Sequence, residues 1–353
     1  MSLEDIKIES RLIGASHPPF IIAEMSANHN GSLERALKII KSAKDAGADA
    51  VKLQTYKAET MTLNIDHPRF MVKGENPWEG QHLYQLYEKA STPWEWHPEL
   101  FEYGKEVGIT IFSSPFDKDA VNLLEKLNSP IYKIASFELV DHDLIRLCAE
   151  TGKPLIMSTG MASLEEITEA VNVAKTAGAN ELVLLKCTSA YPAPAKSINL
   201  KTIKDLEERF SLHTGLSDHT LGVGVAVAAA AMGASVIEKH FTLARSDGGV
   251  DSSFSLEPDE LKQLVDETKN AHEAIGKVSY IQEGLESSFK KYRRSLFFIK
   301  DLPTGKVITE GDLRSLRPGD GLPPKYKKSI IGRKLKESVA IGTPVEWQLL
   351  EDE

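Results

Sequence analysis

Cysteine is nearly missing from this 353-residue chain, which has only Cys148 and Cys187. Neither stands in metal-ligand spacing, so a disulfide scaffold and a cysteine-built metal site are excluded, and the pair suits a reducing compartment. Positive charge is also short. The 42 Lys and Arg against 51 Asp and Glu leave a net charge of −9. Non-specific binding to nucleic acid or an anionic membrane is disfavoured, and any anionic ligand must meet a local concentration of cations. No apolar run reaches comfortable membrane length. The charge-free "LGVGVAVAAAAMGASVI", Leu221–Ile237, is slightly short for a bilayer helix and is expected to be a helix buried between a sheet and its neighbours. The opening "MSLEDIKIES" has acids where a signal peptide needs a basic and then an apolar region, so a soluble, cytoplasmic protein is expected. A glycine-rich fingerprint after the first strand is absent too, which places a doubly wound open sheet behind the alternative below.

What is present is alternation. Short β-branched or apolar runs predict strands over Phe20–Ser26, Ala50–Thr55, Ile109–Ser114, Ile131–Ser136, Pro154–Thr159, Leu182–Thr188, Leu212–Ser217 and Ser235–Phe241. Amphipathic stretches lie between them, such as Leu33–Ala46, Ala120–Leu127, Leu164–Ala177 and Ile203–Phe210. Several end in Ala-Gly or Val-Gly, where glycine supplies a left-handed cap. Eight strands followed by helices predict an α/β fold, a (β/α)8 TIM barrel. The early "IKIES" alternates with period two and is expected to close the barrel's bottom as part of a hairpin. The segment Lys57–Pro98 is far longer than a normal loop and holds three of the four tryptophans, so it is expected to cover a site. Beyond about Gln282, Pro-Thr-Gly, Glu-Gly-Asp and Pro-Gly-Asp turns punctuate short strand-like runs. This predicts a barrel domain over residues 1–286 and a small, mostly β domain over 287–353, joined near Ser287–Tyr292.

Catalytic groups in such barrels sit at the C-terminal ends of strands. Lys52, Lys133, Lys186 and Lys239 belong to strands two, four, six and eight. Residues of alternate strands share an interior layer, where four ammonium groups would repel one another unless an anion neutralised them. The bland alternative turns each lysine outward, snorkelling between helices. Hydroxyls accompany them at strand exits: Ser136, Ser158, Ser189 and Ser217, each able to bond a phosphate oxygen or merely to cap a helix. His219 in "GLSDHT" and His240 in "EKHF" stand at the ends of adjacent strands seven and eight. They could share one Mn²⁺ or Mg²⁺ whose open positions take water and substrate oxygens, or each could bond a loop; the residues alone leave both open. Strand parity points Lys239 and His240 to opposite faces if the strand is still regular there. Glu24, Glu138 and Asp218 are the nearby carboxylates.

Ten ordered stretches, "IIAEMSANHNGS", "VKLQTY", "FSSPFD", "YKIASFE", "STGMAS", "CTSAYPAP", "GLSDHT", "EKHF", "DSSFSLEP" and "RPGDGLPP", resemble the sialic acid (nonulosonic acid) synthase family over nearly the whole chain. The tail resembles that family's antifreeze-like SAF (β-clip) domain. The resemblance implies a transferase that condenses phosphoenolpyruvate with an N-acetylated amino sugar, and "AEMSANHN", "TYKAETMT" and "STPWEWH" resemble the branch that makes pseudaminic acid. Neuraminic and legionaminic branches are the alternatives, and a Schiff-base aldolase using Lys133 or Lys186, or a sugar-binding module built on the tail, the remoter ones.

The resemblance further implies roles. Lys52, Lys133, Ser136, Ser158, Ser189 and Ser217 would hold phosphoenolpyruvate, although Asn often stands where Ser189 does. His219 and His240 would hold Mn²⁺ or Mg²⁺, and Glu138 a metal-linked water. Glu24, Gln54, Tyr191 and Asp251 would handle the sugar, Glu24 together with Glu138 among the catalytic groups. Arg317 would reach the acetamido group from the partner in a homodimer with exchanged tails.

Overall fold

In the computed structural model, residues 3–74, 76–280 and 284–351 are described. Contacts divide the chain into two compact units, Met1–Gly276 and Lys277–Glu353. The first contains a closed barrel of eight parallel strands. Two short antiparallel strands, β1 (Ile6–Ile8) and β2 (Arg11–Ile13), precede the barrel. Its staves are β3 (Phe20–Glu24), β4 (Ala50–Thr55), β5 (Thr110–Pro115), β6 (Tyr132–Ile134), β7 (Leu155–Ser158), β8 (Leu182–Cys187), β9 (His213–Asp218) and β10 (Val236–His240). The ring closes where β10 pairs with β3, His240 opposite Glu24. Each predicted strand is present, trimmed by a residue or two at most of its ends.

The helices form for local reasons. Leu33–Ala46 buries Ala36, Ile39, Ile40, Ala43 and Ala46, a single stripe at helical spacing. The Ser32 hydroxyl accepts from the Arg35 amide at 3.2 Å at one end, and Gly47 at φ +92° closes the other. Leu164–Thr176 begins with a capping box made by Ser163 and Glu166.

Alternation sorts each stave into two faces. Ile21, Val51, Ile111, Leu184 and Ile237 face the helices, in one apolar cluster. Phe20, Ile22, Ala50, Phe112, Ile131, Ile156, Leu185 and Val236 fill the interior, joined there by Ile6, Ile8 and Ile13. The hairpin therefore stoppers the bottom, as its period-two pattern predicts. Directly above this apolar floor, two residues further along each stave, come Glu24, Lys52, Ser114, Lys133, Ser158, Cys187 and Glu238.

Leu221–Ile237 is not one helix. Only Gly224–Ala231 is helical; the run then turns and its last residues begin β10. Small residues and absent charge suit a short covering helix and a buried strand equally, so composition could not mark the break between them. Among the described residues, no helix is long and apolar enough to cross a membrane.

The long segment after β4 contains the short helices Ala58–Met61 and Leu83–Ala90. It is anchored by fully buried His97, whose Nε2 lies 2.8 Å from Thr55 Oγ1. The second unit has a two-stranded antiparallel sheet, β11 (Ser295–Phe298) with β12 (Leu313–Leu316), and further isolated bridges. Leu296, Phe298, Ile330, Leu335 and Val345 are fully buried in a core of its own. Residues 281–283, shortly before the expected join near Ser287–Tyr292, lie outside the described ones.

Candidate active site

The interior layer above the floor is a knot of opposite charges. Lys52 Nζ lies 2.7 Å from Glu24 Oε2 and 3.8 Å from Glu238 Oε2; Lys133 Nζ lies 3.7 Å from Glu238 Oε1. Ser217 Oγ donates to Glu238 Oε1 at 3.1 Å, Lys52 donates to Ser114 Oγ at 3.3 Å, and Gln54 Nε2 donates to Glu24 Oε1 at 2.8 Å. Both lysines are buried. At Lys52, burial disfavours the charge but Glu238 and Glu24 outweigh it, so its pKa rises. Lys133 has weaker company, and burial pulls its pKa down.

Lys186 and Lys239 are not part of this layer. Their parity matches Leu184 and Ile237 on the helix-facing side. Lys186 Nζ donates to Thr188 Oγ1 at 3.3 Å, and Lys239 Nζ to Asp218 Oδ2 at 2.7 Å. Four converging lysines are thus corrected to two, because odd and even positions of one strand cannot share a face. The other two turn outward as the alternative has it, but Lys239 is buried against Asp218 and does not snorkel.

Hydroxyls ring the lysines. Gly160 brings its backbone so close to Ser136 and Ser189 that a Cβ there would meet Ser189 Oγ at 2.4 Å and Ser136 Oγ at 2.7 Å. Its amide donates to Ser136 Oγ at 3.1 Å. Ser158 is buried with its Oγ lacking a hydrogen bond within the protein. Glu138 Oε2 and Glu238 Oε2 are buried without one as well. Such unmatched groups are costly alone and are what a ligand site presents. Burial raises Glu138 to about 7 against the opposing pull of Lys133, and raises Glu24 to about 7 against Lys52.

The two histidines do meet. Their ring centroids are 5.4 Å apart. His219 Nδ1 lies 3.0 Å from the Thr188 carbonyl, which can only accept, so Nδ1 carries a proton and Nε2 is the nitrogen a metal would take when the ring is neutral. His240 Nδ1 is buried without a partner. Burial, and then the charges of His219, Lys52, Lys239 and Lys133, push its pKa well down and hold it neutral. Burial also disfavours charge at His219, but Cys187 and the Thr188 carbonyl outweigh it and raise the pKa. Among the described residues no three His, Cys, Asp or Glu side chains form a ready metal cage. Two neutral-capable imidazoles, one with an orphaned nitrogen, fit a divalent ion that leaves positions open to water and substrate oxygens.

An aromatic wall faces the imidazoles. The Tyr191 ring lies 4.3 Å from that of His219, 5.4 Å from Trp78 and 5.3 Å from Phe254, and Phe254 lies 5.0 Å from His240. Trp78, from the long segment, donates its Nε1–H to the Val250 carbonyl at 2.9 Å. Asp251 is buried; its carboxylate accepts from the Ser26 hydroxyl, tying the loop after β10 to that after β3. Burial raises its pKa. Arg317 lies apart from these residues in sequence and unit, exposed just past β12.

Motif reading missed Glu238, Cys187, Ser114 and Phe254. Parity could have found three of them, since Glu238 stands two residues before His240, and Cys187 and Ser114 two after inward-facing Leu185 and Phe112. Burial would ordinarily raise the Cys187 thiol, but His219, Ser136 and Lys133 bring it down to about 7.

The chain resembles known proteins over most of its length. A pseudaminic acid synthase of Campylobacter jejuni is 46% identical over 325 residues, 92% of this chain and 94% of the relative. One of Helicobacter pylori is 44% identical over 335 residues, 95% and 98% of the two chains. The crystal structure of an N-acetylneuraminic acid (sialic acid) synthetase from Leptospira borgpetersenii, in complex with citrate, superimposes with a TM-score of 0.71 at 34% identity, covering 81% of this chain and 95% of that one. The NeuB family matches residues 39–280 and the SAF domain residues 293–351. The chain is a member of the NeuB family with a C-terminal SAF domain.

Proposed function

We propose that this enzyme is a pseudaminic acid synthase, condensing phosphoenolpyruvate with 2,4-diacetamido-2,4,6-trideoxy-altropyranose and water to give pseudaminic acid and phosphate. The observation that carries the reading is the meeting, at one barrel mouth, of a two-lysine cradle ringed by serines with a pair of imidazoles. The relatives named pseudaminic acid synthase select the branch. The wall of Trp78, Tyr191 and Phe254 supports it, because a deoxy sugar needs apolar contact where a hydroxyl would otherwise stand.

Lys52 and Lys133, with Ser136, Ser158, Ser189 and Ser217, fix phosphoenolpyruvate before reaction. His219 and His240 hold Mn²⁺ or a similar ion, which polarises the open-chain sugar's aldehyde oxygen when bound. Carbon three of phosphoenolpyruvate forms a C–C bond to the aldehyde carbon while the carbonyl π pair moves onto the aldehyde oxygen, which takes a proton and becomes a hydroxyl, leaving cationic character at carbon two. Water adds there, its proton passing to Glu138, whose pKa of about 7 suits both taking and returning a proton. Phosphate then leaves by C–O cleavage as the carbon-two hydroxyl gives its proton to the departing phosphate and becomes the keto group. Glu24, held by Gln54, and Tyr191 orient the sugar, and Asp251 keeps the flanking loops in place for it.

The enzyme works as a homodimer in which Arg317 of one chain reaches the acetamido group in the other. Residues 1–276 carry 27 Lys and Arg against 40 Asp and Glu, a net −13, whereas residues 277–353 carry 15 against 11, a net +4. Opposite charges favour a tail meeting another copy's barrel. A reaction that draws on phosphoenolpyruvate as its three-carbon donor supports a cytoplasmic setting.

Phosphate release measured with phosphoenolpyruvate and a panel of amino sugars tests the assignment. The trideoxy diacetamido altrose should turn over fastest; faster N-acetylmannosamine turnover would move the enzyme to the neuraminate branch. Activity that survives EDTA and is trapped by borohydride would instead mark a Schiff-base aldolase. Mixing Arg317→Ala with Glu138→Gln protein should regenerate activity. Exchanged subunits as dead as their parents would place the arginine in its own chain's site.

A further inference from the structure

The outward faces of β9 and β10 carry a buried ion pair that none of the chemistry above uses. Asp218 and Lys239 stand directly opposite each other in the parallel register, and each is 1% exposed. Lys239 Nζ donates to Asp218 Oδ2 at 2.7 Å and to the Thr220 carbonyl at 2.6 Å. Asp218 Oδ1 accepts from the Thr220 amide at 2.9 Å, and Oδ2 from the Thr220 hydroxyl at 3.1 Å.

The placement of these bonds matters more than their number. Asp218 and Thr220 flank His219, so the bonds hold the chain on both sides of one imidazole. Lys239 immediately precedes His240, so the same ammonium holds the residue that carries the other. β10 pairs with β9 only through Asp218 opposite Lys239 at this end, and both histidines lie beyond that last pair. Past the final ladder pair, nothing in the sheet itself fixes the distance between the two chains. A buried ion pair contributes little net stability compared with apolar packing, so stability alone is a weak reason for one here.

We infer that the Asp218–Lys239 pair, with Thr220, is a positioning device that sets the spacing of His219 and His240 and thereby the affinity for the divalent ion. It rests on the metal role proposed for the two histidines. Neither charged group touches the ion or a substrate; both act through the backbone they hold, as supporting residues around metal ligands do.

The test is Mn²⁺ binding to the metal-depleted full-length protein, followed by titration calorimetry and by the paramagnetic resonance signal of free Mn²⁺. The double variant Asp218→Asn with Lys239→Met removes both charges together and avoids a lone buried one. It should melt close to the native temperature, bind phosphoenolpyruvate in the absence of metal with native Kd, and bind Mn²⁺ about tenfold to a hundredfold more weakly. Lys239→Arg, which keeps the charge and its donors, should recover most of the affinity. Mn²⁺ affinity in the folded double variant within about twofold of native, well short of the loss expected for a supporting residue, overturns the proposal. Should that variant not fold, Thr220→Val decides, because it removes a single hydroxyl; it must weaken Mn²⁺ measurably, and native affinity there overturns the proposal. Native protein that binds no Mn²⁺ refutes the metal reading itself and the positioning device with it. Binding by native protein that the variants leave unchanged refutes the device alone.

Discussion

The two ends of the barrel are built from the same eight staves and could hardly differ more. At the bottom, Ile6, Ile8 and Ile13 close over Phe20, Ile22, Phe112 and Ile156 in an apolar plug. Two residues further along, the same inward positions hold two lysines, two glutamates and serines, with Ser158 Oγ, Glu238 Oε2 and, nearby, Glu138 Oε2 lacking hydrogen bonds. One layer is spent on stability and the next on holding something else. The comparison predicts that substitutions at the bottom change melting temperature and leave kinetics alone, and that those at the top change kinetics.

The largest effect is expected at the imidazoles. His240→Ala should lower kcat at least about a hundredfold, more than the loss of a supporting residue costs, and EDTA should do the same to native protein until Mn²⁺ is restored. Full activity in a folded His240→Ala enzyme would remove the histidines from the site. Next comes the plug. Ile8→Ala should cost about 2–5 kcal/mol of stability through the cavity it leaves, with both KM values unchanged. A shifted KM for phosphoenolpyruvate would show that the two layers are mechanically coupled.

Lys133→Met should raise that KM by one to two orders of magnitude, about 1.5–3 kcal/mol for a hydrogen bond to a charged group. Melting should fall, since buried Glu238 loses one of the two lysines that keep its carboxylate charged; a native KM in the folded variant would take the lysine out of the cradle. The smallest effect is in pH. Glu138 is held at about 7, above its ordinary 4.5, so between those limits the folded protein keeps a proton that the unfolded chain has lost. Its contribution to stability is complete below about pH 4.5 and disappears as pH rises towards 7. Thermal melts of ligand-free protein at pH 5 and 7 should therefore show a drop that is smaller in Glu138→Gln. An equal drop in the variant would assign it to other groups, Glu24 first.

The sequence showed the staves plainly because each is a short apolar run set off by turns, and the hairpin because Ile6 and Ile8 alternate with polar neighbours. It showed the exits of β9 and β10 because histidine is rare enough to notice. It did not separate the lysines, since naming one lysine per alternate strand ignores whether it falls on an odd or an even position. Lys239 shows the cost, one residue from His240 and on the opposite face. Glu238 stayed hidden for the same reason, read as the flank of a motif rather than as the counter-ion of two lysines. Trp78 and Phe254 could not have been paired at all, because they come together through loops whose paths no periodicity records.

The hairpin at the bottom also makes the barrel a cup rather than a tube. Solvent cannot reach Lys52, Lys133 and Glu238 from beneath, so their charges rest on an insulating base of aliphatic and phenyl groups and feel one another with little screening. Whatever enters must leave by the same rim. In the proposed reaction, a water aimed at the cationic carbon would then have to come from the rim, where Glu138 stands.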